Sequence, residues 1–193
     1  MKYNLDFKSY EQLLNCKKQK SSKEYWFDAS YSVFINSNID SKEDLVKIMA
    51  FVYSWMPTVP NIKCSESFEK LSENDILSMC NRLKDDKITI DELEKLLLKL
   101  IPIVNNSIVG TSKFIHFINQ NYPILDSKVL DSWNKHFNEK YKIVSNLNSA
   151  KVKNKVLIYL DYYKKMGLWL NECHENDKNI TIRDLEKILF EIG

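Results

Sequence analysis

The sequence predicts an all-α fold, and three observations carry that expectation. Apolar residues recur at three- and four-residue intervals along most of the chain. Only 3 glycines and 4 prolines interrupt 193 residues. No stretch sustains the strict alternation that a half-buried strand needs. A compact domain of about eight to ten helices is expected over residues 1–193. It can also be read as two lobes, about 1–86 and 87–193, with an active site between them.

The elements follow in order. Phe7–Lys18 reads as a first helix with Tyr10, Leu13 and Leu14 inward, and the aromatic-rich segment Lys23–Ile35 as a second, with strand the alternative for YSVFI. Asp40 or Ser41 caps SKEDLVKIMAFVYSW, which turns Leu45, Ile48, Met49, Val52 and Trp55 to one side. MPTVPNIKC is an extended connection because Pro57 and Pro60 bar helix, and a helix near Glu73–Lys84 follows. KITIDELEKLLLKL and NITIRDLEKILFEI echo each other: Thr89 with Glu92 makes a capping box, and Thr181 with Asp184 repeats it. Two amphipathic helices with the same N-cap solution explain that echo without duplication. Ala150 to about Leu170 is a long helix with Val152, Val156, Tyr159, Leu160 and Tyr163 as its apolar stripe.

Composition narrows the function classes. Hydrophobic residues at 44% and charged residues at 28% fit a soluble domain. LLLKLIPIV is broken by Lys99 and Pro102 and is too short to cross a bilayer, and MKYNLDFKSY is unlike a signal peptide. A cytoplasmic protein without a membrane partner, acting as a monomer, is expected. Cys16, Cys64, Cys80 and Cys173 are widely spaced, which suits free thiols in a reducing compartment and not a zinc site, an iron–sulfur cluster or a disulfide framework. The net charge is only +2, but nine lysines face three acids between Lys128 and Lys165. Such a segment can track a phosphate backbone, and it equally fits a solvated helix face.

The segment IVGTSKFIHFINQNYPILDSKV, Ile108–Val129, gathers the chemistry. A helix over Thr89–Val104, a turn over Asn105–Gly110, a helix over Thr111–Asn119 and a turn over Gln120–Leu125 lead to a helix opened by Asp126. Gly110 can take positive φ in that turn. Backbone amides at the following helix N-terminus, with the Thr111 and Ser112 hydroxyls, would seat a phosphate, and Lys113 falls in the first helical turn. Asp126 sits where an N-cap belongs. It is also a carboxylate that the Tyr-Pro turn could return to Lys113. An amine beside a carboxylate suits substitution at an acetal-like carbon: the amine attacks while the carboxylate relays protons or steadies an oxocarbenium ion. His116, inside FIHFI, reads as a packed core histidine.

The run from LEKLLLKLIPIVNNSIVGTSKF to PILDSKV, the 37 residues Leu93–Val129, resembles the helix-hairpin-helix DNA glycosylases, in particular the 8-oxoguanine DNA glycosylase branch. That branch carries Val-Gly-Thr followed by a catalytic lysine, then an apolar helix, a proline, an aliphatic pair and an aspartate opening the next helix. The resemblance implies that Asp126 is the essential aspartate and Lys113 the Schiff-base nucleophile. It implies that Ser107, Ile108, Gly110, Thr111, Ser112 and Lys128 contact the DNA, with a monovalent cation held at the Ser107–Gly110 hairpin. The partner would be double-stranded DNA containing a modified base, cleaved at its N-glycosidic bond with or without strand cleavage. Repair and defence against modified foreign DNA are both open. Asn-Ser-Ile stands where the family has Leu-Pro-Gly, and strict register from Gly110 puts Ser112 at the lysine position, so both residues stay candidates. A flipped base needs apolar or aromatic walls, for which Trp55, Met56 and Trp26 are the candidates. A helix-hairpin-helix module without chemistry and a helical protein–protein adaptor are the alternatives.

Overall fold

A computed structural model describes residues 2–16, 30–35, 39–56, 74–138, 140–141 and 149–193. Trp26 and Cys64, with most of the Lys23–Ile35 segment and the Pro57–Pro60 connection, lie outside the described residues. Within them are eight helices of nine residues or more, a short helical stretch at 30–34, and one isolated bridge between Tyr3 and Phe137. The fold is all-α. No described helix is long and apolar enough to cross a membrane.

Local chemistry explains each boundary. Helix α1 is Phe7–Asn15, with Asp6 accepting from the Ser9 amide as N-cap. Leu13 is buried there, whereas Leu14 is 43% exposed and lies off the inward face expected of it. Helix α2, Lys42–Ser54, starts on Ser41 with a capping box to Asp44 and buries Leu45, Ile48, Met49 and Val52. Helix α3 is Asn74–Lys84 and helix α4 is Ile90–Ile103, the latter entered through the Thr89–Glu92 capping box. Helix α5 is Ile108–Ile118, helix α6 is Ser127–His136, helix α7 is Val152–His174 and helix α8 is Ile182–Ile192. The stripe of α7 runs through Val156, Tyr159, Tyr162, Met166, Trp169 and Cys173, so Leu160 and Tyr163 flank it. The Thr181–Asp184 capping box opens α8 as expected.

Helix α5 is the hub. Ten of its residues are buried, as in a helix that is apolar on all sides. It packs against α2, α3, α4 and α7, while α8 lies on α6, α7 and α1. One buried cluster runs through residues on both sides of position 86, from Leu13 and Ile48 to Trp169 and Leu189.

Candidate functional site

The turn between α4 and α5 differs from the expected one. Positive φ falls on Asn105 and Asn106, at 52° each, and on no glycine. Asparagine tolerates that region because its short polar side chain clashes little. The turn therefore ends at Ser107, whose hydroxyl caps α5 by accepting from the Gly110 amide at 3.1 Å. Gly110 is the third residue of the helix, not a turn residue. Its role is close approach: a Cβ there would meet Val104 Cγ1 at 2.9 Å and Met56 Sδ at 3.5 Å.

This register changes what the α5 N-terminus can offer an anion. The Thr111 hydroxyl donates to the Ser107 carbonyl at 2.7 Å and the Ser112 hydroxyl to the Val109 carbonyl at 2.9 Å, both within fully buried residues. Ser112 Oγ also accepts from the Leu125 amide at 3.0 Å, which fixes the chain leaving α5. Side chains committed in this way cannot reach a phosphate, contrary to the role expected of Thr111 and Ser112. Ile108 is likewise wholly buried, so its contribution is limited to its backbone. The Gly110 and Thr111 amides are already bonded, to Ser107 Oγ and to the Ser107 carbonyl. An anion here would be met by the amides of Ile108 and Val109.

The hairpin also fits a bound monovalent cation poorly. The Ser107 carbonyl accepts from both the Thr111 amide and its hydroxyl, and the Val109 carbonyl is engaged by Ser112. The neighbouring Asn106 carbonyl accepts from the Lys155 ammonium of α7 at 2.6 Å. A side-chain cation already sits on the hairpin, and a second one beside it would meet repulsion. Among the described residues, no group of three or more His, Cys, Asp or Glu side chains could hold a metal.

Lys113 and Asp126 are thirteen positions apart and share one buried neighbourhood. Lys113 is 9% exposed and Asp126 8%. Asp126 caps α6 by accepting from the Val129 amide at 3.1 Å, so its N-cap role holds. The Lys113 amine lies 3.5 Å from the Trp55 carbonyl at the end of α2. Burial pulls the pKa of Lys113 below its ordinary value, while the Asp126 and then the Glu186 carboxylate oppose that shift. The amine is thus desolvated yet held within the field of two carboxylates.

Sequence reasoning missed two members of this neighbourhood. Glu186 of α8 is 2% exposed and ion-paired with Arg183. Arg183 lies 4.8 Å over the Tyr31 ring, and the Tyr31 hydroxyl donates to His116 Nε2 at 2.9 Å. His116 in turn donates from Nδ1 to the Tyr122 carbonyl at 2.7 Å, which defines its tautomer. Burial lowers the His116 pKa to about 3, so it is the neutral core histidine expected of FIHFI. The available signal for Glu186 was its position: it lies in the apolar stripe Ile182–Leu185–Leu189, where a carboxylate is out of place.

The base-wall candidates divide. The Trp55 indole packs edge-on to Phe117 at 5.1 Å and donates to Ser30 at 3.2 Å. Met56 packs on Gly110, and Trp26 lies outside the described residues. An apolar groove lined by Ser30, Val33, Phe34, Lys47, Ala50, Phe51 and Ser54 includes neither Lys113 nor Asp126. Of the basic segment, Lys128 is exposed beside the Phe190 ring, and Lys135, Lys151, Lys153 and Lys164 are exposed. Lys155 is removed from any such surface by complete burial, and Lys142 is outside the described residues.

Comparison of the chain with protein-family models, with curated proteins and with solved structures finds no match in any of the three.

Proposed function

We propose that this protein is a DNA glycosylase that releases a damaged or modified base, with Lys113 as nucleophile and Asp126 as the assisting carboxylate. The observation that carries the reading is the burial of a lysine and an aspartate on either side of the Tyr-Pro turn, with the carboxylate acting electrostatically on the amine. A lysine kept for phosphate contact would hold its ammonium in water, so burial favours chemistry over simple DNA binding. Lys113 is favoured over Ser112 because the Ser112 hydroxyl is spent on Val109 and Leu125.

In the proposed reaction the neutral amine attacks C1′ of the deoxyribose, the C1′–N bond breaks, and the base leaves with its electron pair. The amine then gives a proton to Asp126, the C1′–O4′ bond breaks with its electron pair and that proton going to O4′, and an iminium links Lys113 to C1′. Asp126 steadies the cationic character at C1′ and relays the proton. The exposed lysines from Lys128 to Lys164 would carry the DNA backbone, so affinity should fall steeply with salt. Borohydride reduction of the iminium to a stable secondary amine tests the reading, alongside direct assay of base release. An adaptor would do neither, and a binding module would bind DNA in a salt-dependent way without trapping or release.

A further inference from the structure

The chain leaving α5 for α6 runs through four buried residues, Tyr122–Leu125, and Asp126 is the next. This segment lies outside any helix or strand, so side chains must meet its buried peptide groups. Four consecutive residues are met in turn. The Tyr122 carbonyl accepts from His116 Nδ1 at 2.7 Å, and the Leu125 amide donates to Ser112 Oγ at 3.0 Å, both partners coming from α5. Between them, the Pro123 carbonyl accepts from the Tyr159 hydroxyl at 3.1 Å and the Ile124 carbonyl from the Tyr162 hydroxyl at 3.2 Å, both from α7. All four side chains are fully buried. Tyr159 and Tyr162 lie three positions apart and so share one face of α7. One turn earlier on that helix, Lys155 holds the Asn106 carbonyl. A single helix therefore grips the chain both before and after α5, the helix that carries Lys113.

We propose that Tyr159 and Tyr162 are positioning residues for Asp126: their hydroxyls fix the Pro123 and Ile124 carbonyls and so set where the Asp126 carboxylate stands relative to α5. The purpose of that placement rests on the glycosylase reading, while the hold itself is measurable without DNA. Packing alone would need only two phenyl rings here. A phenylalanine at either position would fill the same space and leave a buried carbonyl without its donor. Burial raises the pKa of both phenols well above the ordinary value, so each remains a donor across the neutral range. Ile124 lies two residues before Asp126, so the hold reaches the carboxylate through a short stretch of backbone. The Val129 amide reports on the outcome, because it donates to Asp126 Oδ1 at 3.1 Å.

The test compares the whole protein with Tyr159→Phe, Tyr162→Phe and the double variant, thermal melting showing that each is folded. If the double variant does not fold, the single variants carry the same test. Hydrogen exchange of the Leu125 and Val129 amides should rise by about 10-fold or more relative to the Ile48 and Met49 amides in α2. With a duplex carrying an abasic site, the borohydride-trapped adduct should form about 10-fold or more slowly at saturating DNA, with the half-saturating DNA concentration unchanged. In an Asp126→Asn background the same substitutions should change that rate by less than about 2-fold. A general loosening of the core would slow both backgrounds alike. Equal falls in the two backgrounds, or exchange at Leu125 and Val129 that does not rise, would overturn the proposal. If the wild-type protein forms no adduct while exchange at those amides rises as expected, the glycosylase reading falls alone and the hold on Asp126 stands.

Discussion

The Lys155 ammonium, fully buried on α7, donates to the Asn106 carbonyl at 2.6 Å and so clamps the turn that precedes α5. Two residues with positive φ are held there without a glycine, Asn105 and Asn106. Removing the donor while keeping the length, as in Lys155→Met, leaves a backbone carbonyl without its charged partner. The expected cost is about 2 kcal/mol. The same variant should speed hydrogen exchange of the Asn105–Gly110 amides more than that of α6. Unchanged stability and exchange would show that the clamp does not hold the turn.

Two glycines in helices should respond oppositely to alanine. At Gly167, in the middle of α7, a Cβ would find open space, so Gly167→Ala should stabilise by about 0.5–1 kcal/mol through helix propensity alone. At Gly110 the same gain is offset by the 2.9 Å approach to Val104 Cγ1, and a net loss of about 1–2 kcal/mol is expected. A double-mutant cycle with Val104→Ala should recover at least about 0.5 kcal/mol of that loss. Denaturant melts of the four proteins decide it.

His116 should set part of the acid sensitivity. Its pKa in the fold is lowered to about 3 from an ordinary value near 6.5. The unfolded chain therefore binds a proton in that window while the folded protein does not. The stabilisation is complete above about pH 6.5 and is lost as pH falls toward 3, with a slope approaching about 1.4 kcal/mol per pH unit. His116→Gln should be less stable at neutral pH and should lose that slope. An equally steep acid limb in the variant would assign the sensitivity to another group.

Asp126→Asn separates the two roles of that residue. Asparagine caps helices about as well as aspartate, so stability should change by no more than about 0.5 kcal/mol. Loss of the charge should lower base release by more than about 100-fold. If activity and stability fell together, the residue would be only a cap.

Much of this fold was legible because helix signals are local. Ser41–Asp44, Thr89–Glu92 and Thr181–Asp184 each carry their capping partner three residues away, and the structure starts helices at all three. The Asp126 cap was legible for the same reason. The start of α5 was not. Ser107 caps it within a run of polar residues, and Gly110 resembles a turn glycine until Val104 and Met56 are seen against it. Glu186 and Arg183 were invisible because their coupling to Lys113 depends on how α8 lies on α6 and α7, 70 or more positions further along the chain. Lys155 was counted with the exposed lysines because composition does not say which way a side chain points.

In the proposed reaction Lys113 attacks the sugar. This attack is tested most directly by incubating the protein with a duplex carrying an abasic site under borohydride and mapping any adduct by mass spectrometry, since the abasic aldehyde reports the lysine whichever base is the natural substrate. One reduced adduct is expected, on Lys113, and it should disappear in a folded Lys113→Met variant. An adduct that survives in that variant, or no adduct on the wild-type protein, would contradict it.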